Sequence, residues 1–404
     1  MTFIEQLLNG ENVEWKKLGE VCEIKRGTTL AKSDKDINGN IPIILYGELY
    51  TTYGNYINTI ASYTTIEKAS KGTVAKNGDI LLPISSTTKE AKIGKASAIS
   101  VDTTIYIGGD AIILSHTQVP GYLVYLLNGS WFEKLKMKCV TGTTIMHLSP
   151  KKLSNILIPL PPLSVQHKIV EILDKFTALE AELEAELDCR KRQYEYYRNQ
   201  LLSFDMLNRG GQKLNSVNVM TLGEIGEIRM CKRILKGQTS TCGDVPFYKI
   251  GTFGKTPNAF ISKKLFTEYK IKYSYPKIGE VLISASGTIG KTVIFDGQDA
   301  YFQDSNIVWI ENDESMALNK YLYYCYQVIK WKTAEGGTIN RLYNDIIKKT
   351  QIPLPPLSVQ REIVEILDKF DTLCNSISEG LPKEIELRRK QYEYYRNQLL
   401  TFAQ

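Results

Sequence analysis

Histidine is scarce in this 404-residue sequence, and cysteine never occurs as a CxxC pair. The three histidines, His116, His147 and His167, lie far apart, so no metal-ligand spacing forms around them and no metal site is expected. Seven cysteines (22, 139, 189, 231, 242, 325 and 374) are scattered. Such an odd, unpatterned set argues for reduced thiols and a cytoplasmic protein rather than a disulfide framework. No apolar run reaches the roughly 18 residues of a membrane span. Met1–Lys17 also lacks a basic stretch followed by an apolar one, so no signal peptide is expected.

Catalytic signatures are missing too. No NPPY-like motif, PC motif or Gly-rich cofactor turn for methyl transfer occurs, and no GxSxG elbow. Gly287-Thr288-Ile289-Gly290-Lys291-Thr292 resembles the end of a P-loop, but Ala285 stands where the opening glycine should be, and Thr292–Phe295 is β-like. A hairpin turn is the reading there. His147 follows a loop and reads as a surface or internally satisfied histidine. Glu182 and Glu186 read as a solvated helix face. No catalytic residue is assigned.

What is present is ordinary globular material, 43% apolar and 23% charged. The net charge of +6 permits nucleic-acid binding without demanding it. The 24 tyrosines are the larger departure, and several fall in a repeat. Ile158–Leu179 recurs as Ile352–Leu373 with four differences, and QYEYYRNQLL occurs at Gln193–Leu202 and Gln391–Leu400.

Each repeat opens with three prolines, read as an extended connector. A helix follows, capped by Ser164 or Ser358. Its seam runs Ile169, Ile172, Phe176, Leu179, Leu183, Leu187, Arg190, Tyr194, Tyr197, Leu201 and Phe204. That is a coiled coil about 60 Å long, with a stutter at the two consecutive steps of four. The second seam runs Ile363, Ile366, Phe370, Leu373, Ile377, Leu381, Ile385, Arg388, Tyr392, Tyr395, Leu399 and Phe402. The second copy has four extra residues and contains Gly380 and Pro382, where a kink or break is expected.

Short apolar runs with turn residues between them make residues 1–157 a mixed α and β module. Tyr122–Lys138 reads as one helix within it, and Ser149-Pro150 as the start of another. Residues 206–351 are a diverged copy. Leu18-Gly19-Glu20-Val21 matches Leu222-Gly223-Glu224-Ile225, Ile93-Gly94-Lys95 matches Ile289-Gly290-Lys291, and Thr144-Ile145 with Leu148 matches Thr338-Ile339 with Leu342. The domains read as 1–157, 158–205, 206–351 and 352–404. Gln6-Leu7-Leu8 repeats Gln200-Leu201-Leu202, so the chain is a circularly permuted repeat. The expected fold class is α+β: two mixed α/β modules joined by two long antiparallel coiled-coil helices with pseudo-twofold symmetry.

Both modules have loops rich in hydroxyl and basic residues, suited to phosphates and base edges. Candidates in the first are Lys25, Arg26, Thr28, Thr29, Ser85, Ser86, Thr87, Lys89, Thr143 and Thr144. In the second they are Arg229, Lys232, Arg233, Ser284, Ser286, Thr288, Lys291, Thr338, Asn340 and Arg341. Two unlike readers on a rigid spacer suit a two-part DNA site with an unread gap.

The paired IPLPPLxxQxxIVEILDKF…QYEYYRNQLL segments, the Leu-Gly-Glu-(Val/Ile) starts and the two diverged modules resemble the specificity subunit of a type I restriction-modification system over essentially the whole chain. The resemblance implies two target recognition domains, each reading half of a bipartite double-stranded DNA site. It implies a non-catalytic chain that assembles with two methylation subunits and with restriction subunits. S-adenosylmethionine, ATP and magnesium would sit on those partners, with no cofactor in this chain. Leu179-Glu-Ala-Glu-Leu183-Glu-Ala-Glu-Leu187 resembles the short repeats that change spacer length in that family. The competing reading is a coiled-coil scaffold with two ligand-binding modules and no DNA role.

Overall fold

The computed structural model describes residues 3–87, 92–204, 218–332 and 341–402. The chain forms two compact units, residues 1–183 with 385–404, and residues 184–384. The division cuts through the helical repeats, so each unit holds one module together with helix from both repeats.

In the first unit, a five-stranded sheet runs Glu23–Arg26, Ala111–Ser115, Ile80–Pro83, Ser97–Ile99, Tyr56–Ile57 in spatial order. Ile80–Pro83 is buried at every position because both faces of this central strand are covered. A four-stranded sheet holds Ser62–Thr64, Ile41–Ile44, Ile105–Ile107 and Thr73–Ala75. A three-stranded sheet holds Val140–Thr141, Met146–Leu148 and Ser85–Ser86. The second unit repeats the central arrangement with Glu227–Arg229, Ile307–Glu311, Val281–Ser284 and Thr292–Ile294. Val281–Ser284 and Thr292–Ile294 form the hairpin that the P-loop-like sequence connects.

The expected single helix over Tyr122–Lys138 is two, Pro120–Leu127 and Ser130–Met137. Asn128 and Gly129 break it, and the Asn128 side chain is engaged with the Ala96 backbone at both N–H and carbonyl. The Pro-rich connectors are extended, as expected, and each also forms a strand. Leu157–Leu160 pairs antiparallel with Glu14–Lys17, and Gln351–Leu354 with Asn218–Thr221. Proline is tolerated there because two-stranded ribbons leave one edge unpaired.

One long helix, Leu163–Leu201, carries the first repeat. The second is split into Leu357–Asn375 and Leu381–Leu400, with Gly380 left-handed at φ 87° between them. The expected break is therefore present. The serines do not cap. The helices begin one residue earlier, at Leu163 and Leu357, with Pro356 as the second helix's cap residue. Ile377 is 83% exposed rather than on a seam, because it falls in the break.

Within the first unit Phe176 stacks on Tyr395, with centroids 5.3 Å apart, and packs on Tyr392. Within the second, Phe370 stacks on Tyr194 and Tyr197 at 6.2 and 5.6 Å. The start of one repeat thus meets the end of the other in antiparallel register, by the same residue types in each unit.

Each repeat also has an apolar face that the seam left out. Val165 and Leu173 are fully buried in the first module's core, and Leu367 in the second's; the expected seam residues Ile169 and Ile363 join these cores as well. Buried Gln166 sits beside that face. It accepts from Val119 N–H at 3.1 Å and donates to Pro161 O at 2.9 Å and Gln118 Oε1 at 2.8 Å. Gln360 does the same with Leu318 N–H, Pro355 O and Met316 O at 2.9, 2.8 and 2.8 Å. Asp174 accepts from Tyr56 and Tyr125, and Asp368 from Tyr324. Burial first, and the neighbouring Asp174 second, push the Tyr125 phenol well above its usual range, so it stays a donor.

Truncating Gln360 to Ala strands buried backbone groups at three places. We expect a loss of about 3 kcal/mol in unfolding free energy, read as a lower denaturant midpoint with unchanged slope.

Candidate nucleic-acid interface

The described parts of the three candidate loops of each module converge, with Arg341 alone representing the third loop of the second module. In the first, the strand Met146–Leu148 joins the Thr143-Thr144 hairpin to Ser85–Ser86, through the pairs Met146 with Ser86 and His147 with Ser85. Gly142 closes that hairpin at φ 94°, and a Cβ there would meet Ile145 O at 2.0 Å. Ile84 N–H donates to Asp110 O at 2.8 Å, and Asp110 pairs with Arg26 at 3.5 Å, which brings the remaining loop alongside. Asp110 is left-handed at φ 60°, a conformation that Asp tolerates better than most residues. In the second module Ala285 N–H donates to Asn306 O at 2.7 Å, and Arg341 Nη2 donates to Asn306 Oδ1 at 3.3 Å.

The candidates differ in what they present. Thr29, Thr87, Thr143, Thr144 and Thr288 are exposed. Thr28 is exposed but donates to Lys71 O. Lys25 is exposed and paired with Glu23 at 3.0 Å. Arg229 is partly buried between Glu227 and Glu311, at 2.9 and 2.8 Å. The Glu311 hydrogen bond, followed by the charge of Glu227, holds its guanidinium above its ordinary value. Lys232 lies over the Tyr273 ring at 5.2 Å. Arg233 pairs with Asp304 at 2.9 Å and is two-thirds exposed. Lys89, Thr338 and Asn340 lie outside the described residues.

Five candidates turn inward. Ser85, Ser86, Ser284 and Ser286 are buried. Ser284 Oγ donates to Thr288 O and accepts from Lys291 N–H, and Ser286 Oγ donates to Asn306 Oδ1 at 2.7 Å. Lys291 Nζ donates to Phe253 O and to Gly254 O. Its counterpart Lys95 donates to Tyr53 O, and burial pulls that ammonium below its usual value. Hydroxyl and ammonium groups in these motifs tie loops to the sheet, because backbone carbonyls leaving a sheet need donors. The repeated Ile-Gly-Lys is therefore a loop clamp.

Sequence reasoning missed the residues that complete the second module's cleft. A cavity of about 290 Å³ is lined by Arg233, Lys236, Lys249, Gln303, Asn306 and Arg341, among others. Lys236 opens the hydroxyl-rich stretch Lys236-Gly-Gln-Thr-Ser-Thr241, a signal that was passed over, whereas Lys249 follows the strand Val245–Tyr248 and only folding brings it to the cleft. The cleft gathers four cations around one acidic residue, Asp304. Such a concave basic surface with amide and guanidinium groups can hold a phosphate backbone and probe base edges. Among the described residues no cluster of His, Cys, Asp and Glu could hold a metal ion. None of the described helices is long and apolar enough to cross a membrane.

A recurring α and β module with clustered polar loops, basic in the second copy, carried on helical repeats, defines a duplicated two-module protein. The family model described as the type I restriction modification DNA specificity domain matches residues 10–188 and again residues 215–387, and the chain belongs to that family. It is 47% identical over 411 residues to a Haemophilus influenzae chain named as a type I restriction enzyme specificity subunit, covering 100% of this chain and 99% of that one. It is 32% identical over 437 residues to the EcoR124I/EcoR124II specificity subunit of Escherichia coli, covering 100% and 97%. The fold is shared with the S subunit of a Mycoplasma genitalium type I restriction-modification system, at TM-score 0.54 and 16% identity over 98% of each chain. It is also shared with a chain from a structure of type I complex assembly and conformational transition, at TM-score 0.62 and 17% identity over 96% and 98%.

The clamp reading separates two kinds of cation. Lys291→Met is expected to lower the thermal midpoint by freeing the 253–254 loop, whereas Arg233→Ala leaves it unchanged. Scanning fluorimetry of both variants checks this.

Proposed function

We propose that this chain is the non-catalytic DNA-reading subunit of a type I restriction-modification complex, each module addressing one half of a bipartite double-stranded site. The observation that carries this is the convergence of three loops at the same place in two diverged modules. The scaffold repeats while the presented side chains differ, as two unlike half-sites require. The methyl donor S-adenosylmethionine, and ATP with magnesium, would be bound by methylation and restriction subunits in the cytoplasm. A scaffold without a DNA role leaves the basic cleft unexplained.

Two methylation subunits would dock on the helical repeats, one per unit. In the first unit Ile172, Phe176, Gln391, Tyr394 and Tyr395 line a groove of about 650 Å³ with Phe3. The second unit exposes the same residue types, with Ile366 41%, Tyr196 61% and Tyr197 45% exposed beside Phe370. Identical exposed aromatics on repeats whose modules diverge favour identical partners, and tyrosine is enriched at interface hot spots.

Methylation mapping of DNA modified by the complex should return a split motif that disappears without this chain. Binding should fall steeply with salt, and Arg233→Ala should reduce the salt slope by about one. A binding curve insensitive to salt would sink the DNA reading. Tyr196→Glu should leave one methylation subunit per chain, and Tyr196→Glu with Tyr394→Glu none, as native mass spectrometry would report. One more Leu-Glu-Ala-Glu unit in the long helix adds about 6 Å and about 40° beyond a full turn. The unread gap should grow by about one or two base pairs, each worth about 35°; a mapped motif with its gap unchanged would count against the helix as the ruler.

A further inference from the structure

One position holds different side chains in the two modules although its backbone frame is the same. In the first, Leu148 N–H donates to Ile84 O and Ile84 N–H to Asp110 O, both at 2.8 Å. In the second, Leu342 N–H donates to Ala285 O at 2.8 Å and Ala285 N–H to Asn306 O at 2.7 Å. His147 pairs across the ladder with Ser85, and Arg341 bridges Ser286. His147 and Arg341 are therefore equivalent residues of one frame, and both are exposed.

Each is flanked by a buried serine. Ser85 Oγ lies 3.0 Å from His147 Nδ1. Ser286 Oγ and Arg341 Nη2 both donate to Asn306 Oδ1. This is not a hydrolytic triad. Asp110 is engaged by Arg26, and the second module has Arg and Asn in the corresponding places, which supply no general base. What the frame does is fix where a side chain stands while leaving its chemistry free. Arg341 spends one N–H on Asn306, and its planar fork still offers parallel donors of the kind that match guanine O6 and N7. Its companions Arg233, Lys236 and Lys249 are suited to phosphates. His147 has one ring nitrogen at Ser85 and so offers a single polar atom, Nε2, to a base edge.

We infer that His147 and Arg341 are the equivalent specificity-determining residues of the two modules, Arg341 addressing a guanine acceptor edge in its half-site and His147 a single base-edge group in the other. This rests on the DNA-reading function proposed above. The test is methylation mapping with the full complex for the wild-type chain and for Arg341→Ala, Arg341→Lys, His147→Ala and His147→Arg, with thermal midpoints measured for each.

Arg341→Ala and Arg341→Lys are both expected to relax one base position of one half-site, by roughly 10-fold to 100-fold in discrimination, and to leave the other half-site intact. His147→Ala and His147→Arg are expected to change one position of the opposite half-site only. The lysine variant is decisive, since it keeps the charge and loses the fork. Wild-type behaviour of Arg341→Lys beside an even weakening at all sites by Arg341→Ala would make Arg341 a phosphate contact and overturn the inference. Unchanged motifs in all four variants would overturn it as well. A wild-type complex that yields no split motif refutes the underlying function instead, and is recognised because it leaves no position to relax.

Discussion

A helix with two apolar faces must be held at one rotation about its axis, and a buried glutamine does this in both repeats. Gln166 and Gln360 each satisfy a backbone N–H that begins a module helix and carbonyls beside the Pro-rich strand. Because a buried amide left unbonded is costly, rotating the helix is resisted by hydrogen bonds as well as by packing. With rotation set, Val165 and Leu173 enter the module core while Phe176 turns to the Tyr392 and Tyr395 rings. The same division of faces holds for Leu367 and Phe370. Rigid seating of each module on its helix is what any helical ruler needs.

The modules use an equivalent economy. Conserved framework between the copies, such as Ile-Gly-Lys and the Lys-x-Gly-Asp/Glu turn, supplies internal donors and acceptors. Asp79 accepts from Lys76 N–H at 2.9 Å, and Glu280 from Lys277 N–H at 2.7 Å. Gly78 and Gly279, at φ 89° and 88°, make those turns possible. Loops anchored this way can change their outward residues without disturbing the sheet. The basic cleft of the second module and the more nearly neutral Arg26–Asp110 pair of the first are two outcomes on one frame.

Much of the fold was legible because repetition is visible at the level of letters. The break at Gly380, the Ser149-Pro150 helix start and the hairpin in place of a P-loop all follow from local backbone chemistry, which short sequence windows contain. The single helix over Tyr122–Lys138 failed because a side chain, Asn128, bonds to the Ala96 backbone, about thirty residues earlier, where the chain enters the strand Ser97–Ile99. The hydroxyl-rich loops were found, yet Ser85, Ser86, Ser284, Ser286 and Lys291 proved internal. Composition marks a loop as polar without telling which polar groups the loop needs for itself.

By itself the sequence determined the duplicated plan, the positions of the loops and the aromatic residues that meet between the repeats, since periodicity and internal repetition are properties of the chain alone. Only the tertiary structure decided which loop residues face outward, that Lys236 and Lys249 share a cleft with Arg233 and Arg341, and that the matched positions His147 and Arg341 each stand exposed beside a buried serine. Those relations join segments dozens of residues apart through strand pairing, and no local pattern encodes which strands will pair.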